Sequence, residues 1–251
     1  MDDQCENCQS RTSDAHSIFD AHSIINRQRK LRMPALDLNI GVLWDMDGVI
    51  VDSGEAHYIS WQKSLSRFGI SFNRRLFDET FGMNNRGILS LLLERDATDE
   101  DVDRIGGLKE ELFRRDVQHD LVPLPGAREW IERFSKSGFP QAVASSAPQQ
   151  NIDCIIEGLE LNDYFQALVS GAALSGKPDP ATFLLAAKHL GVAPMDCLVI
   201  EDARVGIEAA KRGGMKCVAV CTTHSREELA DADIVVERLS DLTPEDLKRL
   251  F

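Results

Sequence analysis

No apolar run in this 251-residue chain reaches about 18 residues, so the sequence predicts no membrane-spanning helix. Positive charge is scarce: 28 Lys and Arg stand against 41 Asp and Glu, a formal net charge of −13. That balance argues against a nucleic-acid backbone as partner, because like charges repel. It also means that an anionic substrate needs a local cationic site. Cysteines are few and scattered (Cys5, Cys8, Cys154, Cys197, Cys217, Cys221), several of them within apolar runs. Buried free thiols in a reducing cytosol fit that pattern better than a disulfide framework. Residues 1–37 lack the apolar stretch of a secretory signal, and Asp2, Asp3, Glu6, Asp14 and Asp20 count against a transit peptide. A cytoplasmic monomer or weak dimer, with neither membrane nor nucleic acid as partner, is expected.

The same 37 residues carry Cys5-x-x-Cys8 and a short repeat, Asp14-Ala15-His16-Ser17-Ile18 followed by Asp20-Ala21-His22-Ser23-Ile24. Two Cys and two His suggest zinc, but the seven residues between Cys8 and His16 fall short of finger spacing. A flexible or partner-docking extension is the stronger expectation. A basic run from Arg27 to Arg32 then leads through Pro34 to the first strand.

With 43% hydrophobic and 27% charged residues, the chain can bury a full core, as one domain with an insertion or as two small domains. The apolar run from Ile40 to Trp44 reads as a buried strand. It ends on Asp45 and Asp47, one residue apart, followed by Gly48, which permits a tight reversal. Acids at the carboxyl end of a parallel strand sit where open α/β sheets bind their ligands. Two carboxylates ~4 Å apart repel by about 4 kcal/mol at an effective dielectric near 20. A hard divalent cation is the usual compensation. In isolation, a solvated Asp-Gly turn would read the same way.

Downstream the period becomes helical. His57, Trp61, Leu65 and Phe68 share one face, with Asp52 or Ser53 placed to cap the helix and Gly69 to close it. Helical patterns recur at 85–94 and 100–117 without strand-like alternation, and 121–126 reads as a linker. Residues 54–122 are therefore expected to form an all-helical insertion between core segments 38–53 and 123–251. From Ala127 helix and strand alternate, the signature of a doubly wound parallel α/β sheet. Strands are expected at 141–144, 167–169, 197–200 and 217–220, with an edge strand at 234–236. Helices are expected at 127–136, 149–157, 180–190, 205–212 and 239–251.

Polar residues cluster beside these strands: Ser145-Ser146, Lys177 within Gly176-Lys177-Pro178-Asp179-Pro180, and Glu201-Asp202. A hydroxyl and free backbone amides ahead of a helix bind phosphate oxygens. Pro178 biases Lys177 toward extended backbone. Taken singly, the three would pass for an N-cap serine, a surface lysine and an acidic N-cap. Four carboxylates with one lysine and one serine make sense around Mg²⁺ and a phosphoryl group.

In order along the chain, four segments resemble the motifs of the haloacid dehalogenase-like superfamily over about residues 38–237. They are Asp45-Met46-Asp47-Gly48-Val49-Ile50-Val51-Asp52-Ser53, Ser145, Lys177-Pro178-Asp179-Pro180, and Glu201-Asp202 with Gly206-Ile207-Glu208-Ala209-Ala210. The resemblance is closest to the β-phosphoglucomutase-like sugar phosphatases. It implies a helical cap over the site and Mg²⁺-dependent phosphoryl transfer on a small phosphorylated metabolite. Asp45 would be the nucleophile and Asp47 the acid and base. Asp45, the Asp47 carbonyl and Asp202 would hold Mg²⁺, with Glu201 in support, and Ser145, Ser146 and Lys177 would hold the phosphate. On the cap, the family sets a His and a Trp against substrate at the positions of His57 and Trp61. Lys109 lies near a lysine of the mutases. Asn85 stands where the mutases carry a phosphate-gripping arginine, which the neighbouring Arg86 could replace only by a shift of register. A phosphatase is therefore expected first and a phosphomutase second. An inactive phosphate-binding module, the third reading, is disfavoured by the complete acidic set.

Overall fold

The computed structural model describes residues 40–117 and 121–251. The Cys5/Cys8 pair, the His repeat and the basic run lie outside them.

Strand β1 (Gly41–Trp44) is four apolar residues, all buried. It lies at the centre of a six-stranded parallel sheet with β2 (Gln141–Ser145), β3 (Ala167–Ser170), β4 (Cys197–Glu201), β5 (Lys216–Val220) and β6 (Ile234–Val236). The strand order is β3-β2-β1-β4-β5-β6. Trp44 is in register with Val143 of β2 and Ile200 of β4.

Successive side chains of a strand point to opposite faces, and both faces here are covered. Val42, Trp44 and Val143 pack against α5 (Ala127–Lys136) and α6 (Gln149–Gly158) through Trp130, Ile131, Phe134, Ile152 and Ile155. Leu43, Ala142 and Val199 pack against α7 (Ala181–Leu190) and α8 (Arg204–Arg212) through Phe183, Ala186, Ile207 and Ala210. Burial on both faces is why the strands read as continuous apolar runs rather than alternating ones. The strand order reverses between β1 and β4, which opens a crevice at their carboxyl ends. Cys197 and Cys217 are buried free thiols within β4 and β5.

Between β1 and β2 the chain forms a helical cap: α1 (Gly54–Ser66), α2 (Arg74–Thr80), α3 (Asn85–Leu93) and α4 (Gly107–Val117). The cap has its own core of Trp61, Leu65, Phe72, Phe77, Ile88, Leu89 and Ile105. Helix α2 was not expected, because seven residues show too little periodicity to be read. Its start is set by Asn73, whose side chain accepts a hydrogen bond from the Leu76 amide at 3.0 Å. The expected helix at 100–117 is not uniform. A one-turn helix (Asp99–Asp101) passes through a π-helical stretch (Val102–Gly106) before α4.

The expected C-terminal helix at 239–251 is broken into a 3₁₀ turn (Leu239–Asp241) and α9 (Pro244–Lys248). Pro244 has no amide hydrogen to continue an earlier helix and fits the first turn of a new one, capped by Thr243. No helix among the described residues is long and apolar enough to cross a membrane.

Candidate active site

The carboxyl ends of β1 and β4 bring three acids together. Asp45, Glu201 and Asp202, all buried, place one oxygen each within 4.8 Å of one another. Two glycines allow this approach. Gly48, at φ +81°, faces Asp202 so closely that a Cβ would overlap its Oδ2, and a Cβ on Gly206 would overlap Glu201 Oε1. Lys177 is the cation that answers the cluster: Nζ donates to Asp45 Oδ1 at 2.8 Å and to Glu201 Oε1. Burial alone would lower the Lys177 ammonium, but Asp45 and Glu201 outweigh it and raise it. The second oxygen of Glu201 accepts from the Asp202 and Ala203 amides at 2.8 and 2.7 Å. These amides lie just ahead of α8, whose N-cap is Ala203 and which has no side-chain cap, so Asp202 is not an acidic N-cap.

One lysine against three carboxylates leaves two negative charges without partners. Burial pushes the Asp45 carboxyl up to about 7; Lys177 opposes that rise and Glu201 adds to it. Burial, then Glu201 and Asp45, push Asp202 well above its ordinary value. Asp202 Oδ2 accepts from Thr223 Oγ1 at 2.6 Å. Asp202 Oδ1 is the one buried side-chain polar atom without a hydrogen-bond partner among the described residues. An orphaned carboxylate oxygen in an all-oxygen cluster with surplus negative charge fits a hard divalent cation such as Mg²⁺.

Asp47, two residues from Asp45, belongs to the cap side. It accepts from Ser53 Oγ and from His57 Nε2, the latter at 3.0 Å. Ser53 is indeed the N-cap of α1, but its hydroxyl serves Asp47 and makes no cap bond. Lys109 Nζ lies 2.7 Å from His57 Nδ1. An ammonium can only donate, so Nδ1 accepts and Nε2 carries the proton given to Asp47. His57 is also stacked on Phe113 at 3.9 Å between ring centroids. Burial would raise the Asp47 carboxyl, but His57, Ser53 and Lys109 together hold it below its ordinary value.

The cavity between core and cap is lined by Asp45, Asp47 and Ser145 below and by His57, Trp61, Asn85, Lys109 and Glu110 above. Its open space is about 50 Å³, room for a few waters but not for a sugar phosphate. The cap is therefore closed, and admission of such a ligand requires it to open.

Of the residues named from sequence, Asp45, Asp47, Ser145, Ser146, His57, Trp61, Asn85 and Lys109 all line this cavity. Lys177, Glu201 and Asp202 do not line it and are grouped with Asp45. Ser146 spends its hydroxyl on the Gly82 carbonyl at 2.8 Å, tying core to cap. Arg86 is the departure. It bonds the Ala97 carbonyl and Asp99, so it faces the outer side of the cap and does not reach the cavity. Asn85 Nδ2 instead donates to Glu110 Oε1 at 2.9 Å.

Three residues escaped the sequence reading. Glu110 adjoins Lys109 and looks like any helical acid. Asn151 lies on α6 and reaches the cap through Glu110 and Arg114. Thr223 follows β5, and its place just past the carboxyl end of a parallel strand was the one available signal.

An open parallel sheet with acids at its switch point, under a helical cap, defines a class of capped α/β enzymes. The model of the haloacid dehalogenase-like hydrolase family matches residues 42–220, and the chain belongs to that family. It is 34% identical over 214 residues to a β-phosphoglucomutase of Bacillus subtilis, across 81% of this chain and 92% of that protein. It is 31% identical over 184 residues to a fructose-1-phosphate phosphatase of Escherichia coli, across 72% and 95%. The crystal structure of a β-phosphoglucomutase from Clostridium difficile superposes with a TM-score of 0.76 at 25% identity, covering 85% of this chain and 97% of that one.

Proposed function

We propose that the protein is a Mg²⁺-dependent hydrolase of a small phosphomonoester, a sugar phosphate or close analogue, acting in the cytoplasm through an aspartyl phosphate on Asp45. The observation that carries this reading is an acid cluster short of one cation, beside a second acid on the cap side of one cavity. Asp45, the Asp47 backbone carbonyl and Asp202 would hold the metal, with Glu201 bracing the cluster through Lys177 and the Asp202 and Ala203 amides. When bound, Mg²⁺ draws charge from the phosphoryl oxygens. Asp45 attacks phosphorus and forms the phosphoenzyme, splitting one hard displacement into two. Asp47, ionised in the free site, would take up the proton carried by a substrate monoanion, give it to the leaving oxygen and then take one from the attacking water. Ser145 and Lys177 hold the phosphoryl oxygens and spread the charge of the transition state.

A phosphomutase is the second reading, favoured by the identity to the Bacillus subtilis enzyme and by Lys109 in the cavity. A mutase must grip a second phosphate while its intermediate turns within the closed cap. Asn85 offers hydrogen bonds without charge, and Arg86 is engaged with Asp99. Charge-assisted hydrogen bonds are about twice as strong as neutral ones, so a weak grip supports water as the acceptor. The test is one incubation with β-glucose 1-phosphate and a trace of the bisphosphate primer. Phosphate release should exceed glucose 6-phosphate formation, and the reverse order would establish the mutase.

A further inference from the structure

We propose that Glu110 sets the substrate's charge: by neutralising Lys109 it restricts the site to monophosphates with an uncharged polyol at the remote end and turns away sugars bearing a second phosphate. This rests on the phosphatase reading and adds the substrate class to it. With the reacting phosphoryl held at Asp45 and Ser145, the rest of the ester extends toward the cap wall. That wall presents His57, Trp61, Asn85, Lys109 and Glu110. Lys109 is the one ammonium or guanidinium among the cavity-lining residues.

Glu110 Oε1 accepts from Lys109 Nζ at 2.9 Å. It cannot swing away, because Oε1 also accepts from Asn85 Nδ2 at 2.9 Å and Oε2 from Asn151 Nδ2 across the cap–core boundary. Burial would raise the Glu110 carboxyl, but Lys109 and His57, with hydrogen bonds from Lys109 and Asn151, keep it below its ordinary value and ionised. The Lys109–Glu110 pair therefore presents no net charge. Two other cations stand near: Arg86 is paired with Asp99 outside the cavity, and Arg114, which does not line it, donates to Asn151 Oδ1 at 2.9 Å.

A second phosphate would bring about two more negative charges against this wall and its aromatic rings. Burying an unmatched charge costs far more than burying a hydroxyl that finds a partner. Polyol hydroxyls need only donors and acceptors, and the Asn85 amide oxygen and the third Lys109 proton supply both.

The test compares one reacting ester with and without the remote charge. Fructose 1-phosphate or β-glucose 1-phosphate, whichever releases phosphate faster, is set against its own 1,6-bisphosphate. Wild-type kcat/KM should favour the monophosphate by at least 100-fold. Glu110→Gln keeps the size of the side chain and frees the Lys109 charge. It should shift the ratio toward the bisphosphate at least tenfold, or 1.4 kcal/mol, mainly through KM. Asn85→Arg adds a second cation beside the already neutral Lys109–Glu110 pair, the same surplus of one positive charge, and should shift the ratio in the same direction. Both substrates meet the same preparation, so partial unfolding lowers both rates and leaves the ratio alone. Equal use of both esters by the wild type, an unchanged ratio in Glu110→Gln, or a shift toward the monophosphate in Asn85→Arg overturns the assignment. Phosphate release from no ester at all overturns the phosphatase reading and this one with it.

Discussion

Replacing Asp202 by Asn should stabilise the metal-free protein and abolish its response to Mg²⁺. Asp45, Glu201 and Asp202 each set an oxygen within 4.8 Å of the others, and Lys177 supplies the one opposing charge. Two like charges at that separation repel by roughly 3–4 kcal/mol at an effective dielectric near 20. The alternative for Asp202 is to take up a proton, and burial, Glu201 and Asp45 raise its pKa well above the ordinary value.

The sign follows from proton binding. A carboxyl whose folded pKa is raised binds more protons when folded, so stability falls as pH climbs from the unfolded value through the folded one. Asp45, pushed up to about 7, adds to this fall below neutrality. Asn keeps an oxygen for the Thr223 hydroxyl and carries no charge, so it should relieve about 2–4 kcal/mol of the repulsion. At roughly 2–4 °C per kcal/mol for a chain of this size, that raises Tm by roughly 4–16 °C in chelator at pH 7.5. Saturating Mg²⁺, at about 100 times its Kd, should raise the wild type by about 2.7 kcal/mol and the variant hardly at all. Calorimetry in chelator and in excess Mg²⁺ reads all four states. A variant that melts below the wild type in chelator, or that keeps its Mg²⁺ shift, refutes the reasoning.

Three further outcomes follow from the same geometry. Asp45→Asn should fold normally and lose turnover by at least about 10⁴-fold, as covalent catalysts do; a folded variant with most of its phosphatase activity would remove Asp45 as nucleophile. Thr223→Val should weaken Mn²⁺ binding to the metal-free protein by 10–100-fold, as loss of a partner to a metal ligand does, with Thr223→Ser restoring it; equal affinity in all three proteins, by calorimetric titration, would leave Thr223 without a role. Asn151→Leu strands Glu110 Oε2 at a cost of about 1–3 kcal/mol. It should loosen the closed cap and speed amide exchange in α4, and unchanged exchange there would show that the cap is held elsewhere.

The core of this protein is legible along the chain because its determinants are local. Five buried runs that end on Asp, Ser, Glu or turn residues define strands whose carboxyl ends must meet once the sheet is parallel. Asp45, Asp47, Ser145, Glu201 and Asp202 could therefore be grouped before any contact was known. Lys177, which alone reads as a surface lysine, could be added only because Lys177-Pro178-Asp179-Pro180 matches a motif of the family. Local pattern also misled where it was weak: Pro244 divides the expected last helix, and the seven residues of α2 are too few to show a period. What the tertiary structure decided is direction and partnership. Asn85 and Arg86 are neighbours in sequence, yet one turns inward to Glu110 and the other outward to Asp99, because successive helical residues point about 100° apart. Glu110 acquires its role from Asn151, 41 residues away on the core, and Asp202 from Thr223, 21 residues on. Pairings at that distance depend on how the cap settles on the sheet and on which rotamers survive packing, and no periodicity within either segment encodes them.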